Sequence, residues 1–142
     1  MTRVMAQGVF DILHPGHIYY LEESAKLGDE LYVVIARDSR VKERKDLVMN
    51  ERERLALVDA LEVVNEARLG TEEDIYDILG SIRPNILTIG HDQPYDIEEI
   101  KEQQEQRGYY DIDVRRIDEY ELENSGIVSS SEIKQLLRER QQ

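Results

Sequence analysis

The feature that most restricts the fold of this sequence is a regular alternation between short apolar runs and longer amphipathic stretches. Between the runs, apolar residues recur at intervals of three and four, which is the period of a helix that buries one face. Five runs rich in Val, Ile or Leu are predicted as strands: residues 3–8, 30–36, 66–69, 85–90 and 112–117. This alternation is typical of consecutive βαβ units, so we expect an α/β, doubly wound domain with a five-stranded parallel sheet.

Two of the predicted helices have clear starting signals. Asn50 is followed three residues later by Glu53, and Ser129 is followed by Glu132 in the same way. Each pair matches a capping residue and a carboxylate that reaches back to it. Helices are also predicted over residues 73–82 and 98–106, and Gly108 is expected to end the second of these.

Composition excludes several functional classes. The chain has 142 residues, which predicts one Rossmann-like domain over residues 1–142. It carries 31 acidic and 18 basic side chains, a net charge of -13, so we expect no general binding of nucleic acid or of an anionic membrane. Cysteine is absent, which excludes thiolate metal sites. No apolar run approaches the roughly 20 residues that span a bilayer, and a cytoplasmic location is expected.

The stretch that says most about function is GVFDILHPGH, residues 8–17, which connects the first predicted strand to the first predicted helix. Open parallel sheets bind their ligands at this position. His14 and His17 flank Pro15 and Gly16, so both imidazoles can reach one point at the helix start. Backbone N–H groups and the helix dipole favour phosphate there, and imidazoles add hydrogen bonds to it. The alternative is that both histidines only cap the helix or satisfy core carbonyls.

Basic side chains follow the second predicted strand. Lys42 and Arg44 could close over the phosphates of a ligand, or they could belong to a solvated basic turn. Arg54, one turn into the second helix, could point at the ligand or pair with Asp59 or Glu51. Lys42 is therefore our candidate for a cation that contacts phosphate.

Further candidates are expected at the same edge of the sheet. Asp92 and Gln93 follow the fourth strand, where a carboxylate can accept hydrogen bonds from a ligand hydroxyl or amino group, although aspartate is also common in turns. Tyr120, after the fifth strand, could stack on a base. Ser129 and Ser130 can cap the last helix and bind a triphosphate at its N-terminus.

Residues 8–17 resemble the signature of the nucleotidyltransferase superfamily, in which Gly-Thr-Phe-Asp is followed by His-x-Gly-His. The resemblance continues in order through residues 37–42, 53–54, 90–93 and 128–131. The phrases FDILHPGH, IARD and GHDQ are most similar to the archaeal FAD synthases of the cytidylyltransferase-like group. Val9 stands where the family usually has Thr, but the N–H groups of Val9 and Phe10 stay available for a triphosphate.

The resemblance implies an enzyme that transfers AMP from ATP to FMN, or to another phosphorylated acceptor, and releases pyrophosphate. It implies a catalytic role for His14, His17 and Lys42, a divalent ion, most simply Mg²⁺, and a homodimer. Asp11 could hold a water of that ion or fix the loop by hydrogen bonds. The expected nucleotide-binding residues are Val9, Phe10, His14, Pro15, Gly16, His17, Asp92, Gln93, Tyr120, Ser129 and Ser130.

Two other functions remain open. A glycerol-3-phosphate cytidylyltransferase-like enzyme would use CTP and a phosphorylated polyol or sugar. Those enzymes carry Arg-Thr-x-Gly before the last helix, whereas residues 123–126 contain no arginine, which counts against this alternative. A regulatory module that binds a nucleotide without turnover is the other possibility, and the pair His14 and His17 argues against it.

Overall fold

The five predicted strands form one parallel sheet in the structure, a computed structural model that describes residues 1–41, 46–120 and 130–140. Their order in the sheet is β3-β2-β1-β4-β5, so the chain reverses its direction of winding between β1 and β4. The α/β, Rossmann-like, doubly wound fold is therefore confirmed. The strands are β1 (Arg3–Gly8), β2 (Glu30–Ile35), β3 (Glu66–Leu69), β4 (Ile86–Ile89) and β5 (Asp113–Arg116).

The helices that connect and flank these strands are α1 (Pro15–Ala25), α2 (Glu51–Asp59), α3 (Ile78–Ile82), α4 (Ile97–Gln106) and α5 (Ser130–Arg140). Gly108, with a φ of 87°, follows α4 and ends it as expected. The helix predicted over residues 73–82 is shorter than expected. Asp74 accepts a hydrogen bond from the Tyr76 amide and starts a 3₁₀ turn, and α3 follows that turn.

The capping box at the start of α2 is confirmed. The Asn50 side chain accepts a hydrogen bond from the Glu53 amide at 2.9 Å, and the Glu53 carboxylate accepts one from the Asn50 amide at 3.1 Å. The capping pair predicted at Ser129 and Glu132 is not covered by the structure: Ser129 lies outside the described residues, and only the backbone of Glu132 is described.

Apolar side chains bury both faces of the sheet. On β1, Val4 packs in one cluster with Leu21 of α1 and Val58 of α2, whereas Met5 packs on the opposite face with Ile100 of α4. The helices therefore lie on both faces, which explains why β2 is almost continuously apolar. No helix in the described part of the chain is both long and apolar enough to cross a membrane.

Asn50→Ala removes the acceptor for the Glu53 amide, so we expect the free energy of unfolding to fall by about 1 kcal/mol. Urea unfolding of both proteins measures this change. Asn50→Ser keeps a short oxygen acceptor and is expected to remain close to the parent. Equal losses in the two variants would contradict the capping role.

Candidate functional site

The carboxyl ends of β1, β4 and β5 border a cavity of about 330 Å³. It lies where the order of the strands reverses, the usual ligand position in an open α/β sheet. Residues between β2 and α2 and Lys134 of α5 complete its walls. The sequence-predicted residues that line it are Val9, Phe10, His14, Gly16, His17, Asp92, Gln93 and Tyr120.

The other sequence-predicted residues have different positions. Pro15 is the first residue of α1 and lines a neighbouring groove together with Tyr19 and Tyr120. Lys42 and Ser129 lie outside the described residues, and Ser130 is described only as the first backbone position of α5.

The two histidines stand side by side at the start of α1. Their ring centroids are 3.8 Å apart and the ring planes differ by 27°. His14 caps the helix, because its Nδ1 accepts a hydrogen bond from the Gly16 amide at 3.0 Å. This bond requires an unprotonated Nδ1, so a neutral His14 carries its proton on Nε2. His14 therefore both caps α1 and lines the cavity.

His17 is electrically neutral at physiological pH. Burial lowers the pKa of His17 to about 4; the adjacent His14 acts in the same direction, whereas a backbone hydrogen bond with Ile12 acts to raise the pKa. The Nδ1 atom of His17 is buried and has no hydrogen-bond partner within the described part of the chain. The site thus offers an uncharged imidazole, whose pKa an anionic ligand would raise.

The loop before the histidines has a restricted backbone. Phe10 has a φ of 54°, which is uncommon for a residue with a side chain. Its ring is buried and packs edge-on against His17, with 5.2 Å between the ring centroids. A Cβ atom at Gly8 would lie 2.8 Å from the Phe10 ring, so glycine is required there. The Phe10 side chain belongs to the core.

Asp11 fixes this loop to two other segments. Its buried carboxylate accepts hydrogen bonds from the amides of Val48 and Met49, both at 2.9 Å, and pairs with the Lys134 ammonium at 2.6 Å. Burial acts to raise the pKa of Asp11, but Lys134 and the two amides outweigh it and hold the pKa below its usual value. Of the two roles considered for Asp11, the structure therefore shows the loop-fixing one.

The expectation for Arg54 is wrong. Its side chain is fully buried, donating to the Asp38 carboxylate at 2.7 Å and to the Val9 carbonyl at 2.8 Å. It therefore neither pairs with Asp59 or Glu51 nor points at a ligand, and both of those carboxylates have other partners. The guanidinium instead supports the loop between β1 and α1, because the Val9 carbonyl of that loop points toward the buried side chain.

The loop after β4 is held by two side chains. Gln93 accepts a hydrogen bond from the Gly90 amide at 2.7 Å and donates one to the Gln7 carbonyl at 3.2 Å. Arg116 of β5 donates to the carbonyls of Gly90 at 2.9 Å and Gln93 at 3.0 Å. Asp92 is exposed in the same loop and forms no hydrogen bond with another described residue, so its carboxylate is available to a ligand.

Tyr120 packs against α1 at the rim of the cavity, with its ring centroid 5.1 Å from that of Tyr19. Lys134 and Arg116 were not identified from the sequence. A signal for Lys134 exists, since this lysine lies one turn into α5 and its long side chain can reach back toward the start of that helix. For Arg116, a charged residue on a short edge strand gives no such signal.

The lowered pKa of His17 makes stability depend on pH. The pKa of this group is 6.5 when unperturbed and about 4 in the folded protein, so between these values the unfolded chain binds more protons there. Stability is therefore lost as the pH falls from about 6.5 to about 4, with a slope on the order of 1 kcal/mol per pH unit.

Urea unfolding across this range, for the parent and for His17→Gln, isolates the effect because all other titrating groups are shared. We expect the parent curve to be the steeper one. Parallel curves would show that His17 keeps its ordinary pKa in the folded protein.

Comparison with known proteins gives the family. Residues 5–136 match the family model described as cytidylyltransferase-like. FAD synthases of Methanolacinia petrolearia and Methanohalobium evestigatum are 48% and 40% identical, over 99% of this chain and 93% and 91% of theirs. The crystal structure of the lipopolysaccharide core biosynthesis protein from Thermoplasma volcanium is 46% identical, with a TM-score of 0.81 over 85% of this chain and 99% of that one. The chain belongs to the cytidylyltransferase-like family.

Proposed function

We propose that this protein is an FAD synthase, which transfers AMP from ATP to FMN and releases pyrophosphate. The observation that carries the proposal is the histidine pair at the start of α1, inside the cavity at the carboxyl ends of the strands. Relatives named FAD synthase along almost the whole chain support FMN as the acceptor.

The proposed reaction is a direct displacement. An FMN phosphate oxygen forms a bond to the α-phosphorus of ATP, the bond from that phosphorus to the β-bridging oxygen breaks, and pyrophosphate leaves with the electron pair. The attacking oxygen is already anionic near neutral pH, so no general base is needed. Catalysis then depends on alignment and on hydrogen bonds to the developing charge.

In this mechanism the residues around α1 hold the phosphates. The amides at the start of α1 donate hydrogen bonds to phosphoryl oxygens. The phosphate charge raises the pKa of His17, and the protonated ring then donates from the nitrogen that the Ile12 carbonyl leaves free. Asp92 accepts hydrogen bonds from the nucleoside, and Tyr120 stacks on its base. We extend the proposal to Ser129 and the amide of Ser130 as triphosphate contacts, since Lys134 brings α5 to the cavity. Lys42 is included because Val41 and Asp46, on either side of its segment, line the same cavity.

Magnesium belongs to the same proposal. The described residues contain no group of three His, Asp or Glu side chains that could hold a metal ion, and the Asp11 carboxylate is already engaged. These residues fit an ion that binds phosphate oxygens and keeps most of its waters. Such an ion would supply charge neutralisation, while the protein aligns the reactants.

We further propose that the protein acts in the cytoplasm, where ATP and FMN are available, and as a homodimer. Light scattering at several protein concentrations tests the dimer.

Incubation with Mg²⁺, FMN and either ATP or CTP, followed by mass detection, tests the function itself. FAD from ATP supports the proposal; a cytidylylated product alone, or no product, contradicts it.

His17→Ala is expected to lower the single-turnover rate constant roughly 100-fold or more, because a donor aimed at developing charge acts mainly in the transition state. Nucleotide affinity, measured by titration, should change much less. Tyr110→Ala is the control, since Tyr110 is an exposed aromatic residue that does not line the cavity. An unchanged rate with weakened binding would remove His17 from the catalytic role.

Asp92→Ala is expected to weaken ATP binding by on the order of 1 to 3 kcal/mol, the contribution of a hydrogen bond to a charged group. Calorimetric titration with ATP and CTP at constant Mg²⁺ measures it, and thermal unfolding should not change. Asp111→Ala, exposed at the opposite end of the sheet, is the control. Unaltered ATP affinity would exclude Asp92 from the site, whereas tighter CTP binding by the parent would argue against FAD synthase.

A further inference from the structure

The strands β1 and β4 separate before they end. Their pairing stops at Met5 and Leu87, although β1 continues for three more residues and β4 for two. On its other side β1 remains paired with β2 as far as Gly8. The separation is therefore confined to the boundary between β1 and β4, where the cavity opens.

Hydrogen bonds on the outer sides of both strands fix which backbone groups face each other across this gap. The Gly8 carbonyl faces β2, where it accepts a hydrogen bond from the Ala36 amide at 3.0 Å. Because the backbone groups of successive residues in a strand point to opposite sides, those of Gln7 face β4. The Ile89 carbonyl faces β5, where it accepts a hydrogen bond from the Ile117 amide at 2.9 Å. By the same alternation, the Thr88 carbonyl and the Gly90 amide face β1. A continued parallel ladder would join Gln7 to both of these groups.

A tyrosine hydroxyl stands in place of the first ladder bond. The Gln7 amide donates to the Tyr20 hydroxyl at 3.2 Å, and that hydroxyl donates to the Thr88 carbonyl at 2.8 Å. Burial raises the pKa of Tyr20 to about 12. The hydroxyl therefore keeps the proton that the Thr88 carbonyl accepts.

A glutamine amide stands in place of the second ladder bond. The Gly90 amide donates to Oε1 of Gln93 at 2.7 Å, and Nε2 of Gln93 donates to the Gln7 carbonyl at 3.2 Å. The Gln93 amide group supplies one acceptor and one donor, as a peptide group would. Each backbone group of the missing bridge thus keeps a hydrogen bond, and no buried polar group is left unpaired by the gap.

We infer that Tyr20 and Gln93 are positioning residues that hold the carboxyl ends of β1 and β4 apart and thereby set the width of the nucleotide cavity. Each inserts one polar group between a backbone donor and its acceptor, so the strands cannot close to the roughly 4.8 Å spacing of paired neighbours. Both side chains also line the cavity.

The width matters because the segments that follow β1 and β4, on the two sides of the gap, carry different halves of the site. The chain leaving β1 leads to His14 and His17, and the chain leaving β4 leads to Asp92. A ligand with phosphates on one side and a nucleoside on the other spans the gap. The identity of that ligand as ATP rests on the proposed function. The two hydrogen-bond relays, through the Tyr20 hydroxyl and through the Gln93 amide, do not depend on it.

The test compares Tyr20→Phe, Gln93→Met and the double variant. Each single variant leaves backbone groups unpaired, so its thermal midpoint should fall. In the double variant both direct ladder bonds can form. We therefore expect its thermal midpoint to fall by less than the sum of the falls in the two single variants. The KM for ATP should rise at least tenfold in the double variant, and by more than in either single one.

Two matched variants control for the loss of a hydroxyl or an amide as such. Tyr32→Phe removes a hydroxyl on β2 that contacts Glu30 at 3.4 Å. Gln104→Met removes a buried amide of α4 that has no hydrogen-bond partner within the described chain. Neither should change the KM for ATP.

Amide hydrogen exchange of Gln7 and Gly90 provides the readout that simple packing would not move. Both amides should stay protected in the double variant, because they bond directly to the opposite strand. Additive loss of stability with unprotected amides, or an unchanged KM for ATP in the double variant, would overturn the inference. If the parent forms no FAD, the proposed function fails alone, and the exchange and midpoint data still decide whether the relays separate the strands.

Discussion

The site depends on a buried carboxylate that must be neutralised where it stands. Asp11 is almost inaccessible to solvent, and an unpaired charge there would cost several kcal/mol. Two amides before α2 and the Lys134 ammonium compensate it. Because these partners come from separate segments, satisfying one charge fixes the β1–α1 loop, the entrance to α2 and helix α5 together. Arg54 acts similarly from below, through Asp38 and the Val9 carbonyl.

The strands could be predicted almost to the residue, because β-branched runs and the βαβ alternation are local signals. The capping box of Asn50 and Glu53 is local as well, since both partners lie within one turn. The helix predicted from residue 73 begins later because Asp74 binds the backbone two residues on, and the helical period contains no record of that competition.

The interactions that shape the cavity could not be predicted, because they join residues far apart in sequence. Arg54 lies 45 residues from the Val9 carbonyl it supports, and Gln93 lies 86 residues from the Gln7 carbonyl. Side-chain to backbone bonds of this kind leave no periodic pattern. The sequence did place Gln93 beside the cavity, because the end of a strand is a local property, but the two bonds of its amide follow only from the sheet.

A chain with a net charge of -13 binds a polyphosphate against its own field, so attraction has to be local. In the described part of the site, the cations are already committed: Lys134 to Asp11, Arg54 to Asp38, and Arg116 to backbone carbonyls. The groups that remain are backbone amides and His17, whose imidazole is uncharged in the empty site. Neutral donors can be buried in an empty cavity without the cost of an unpaired charge, and they still gain strength when a phosphate arrives. In the proposed function, the lowered pKa of His17 thus leaves the phosphate side of the cavity without a buried, unpaired cation until ATP binds.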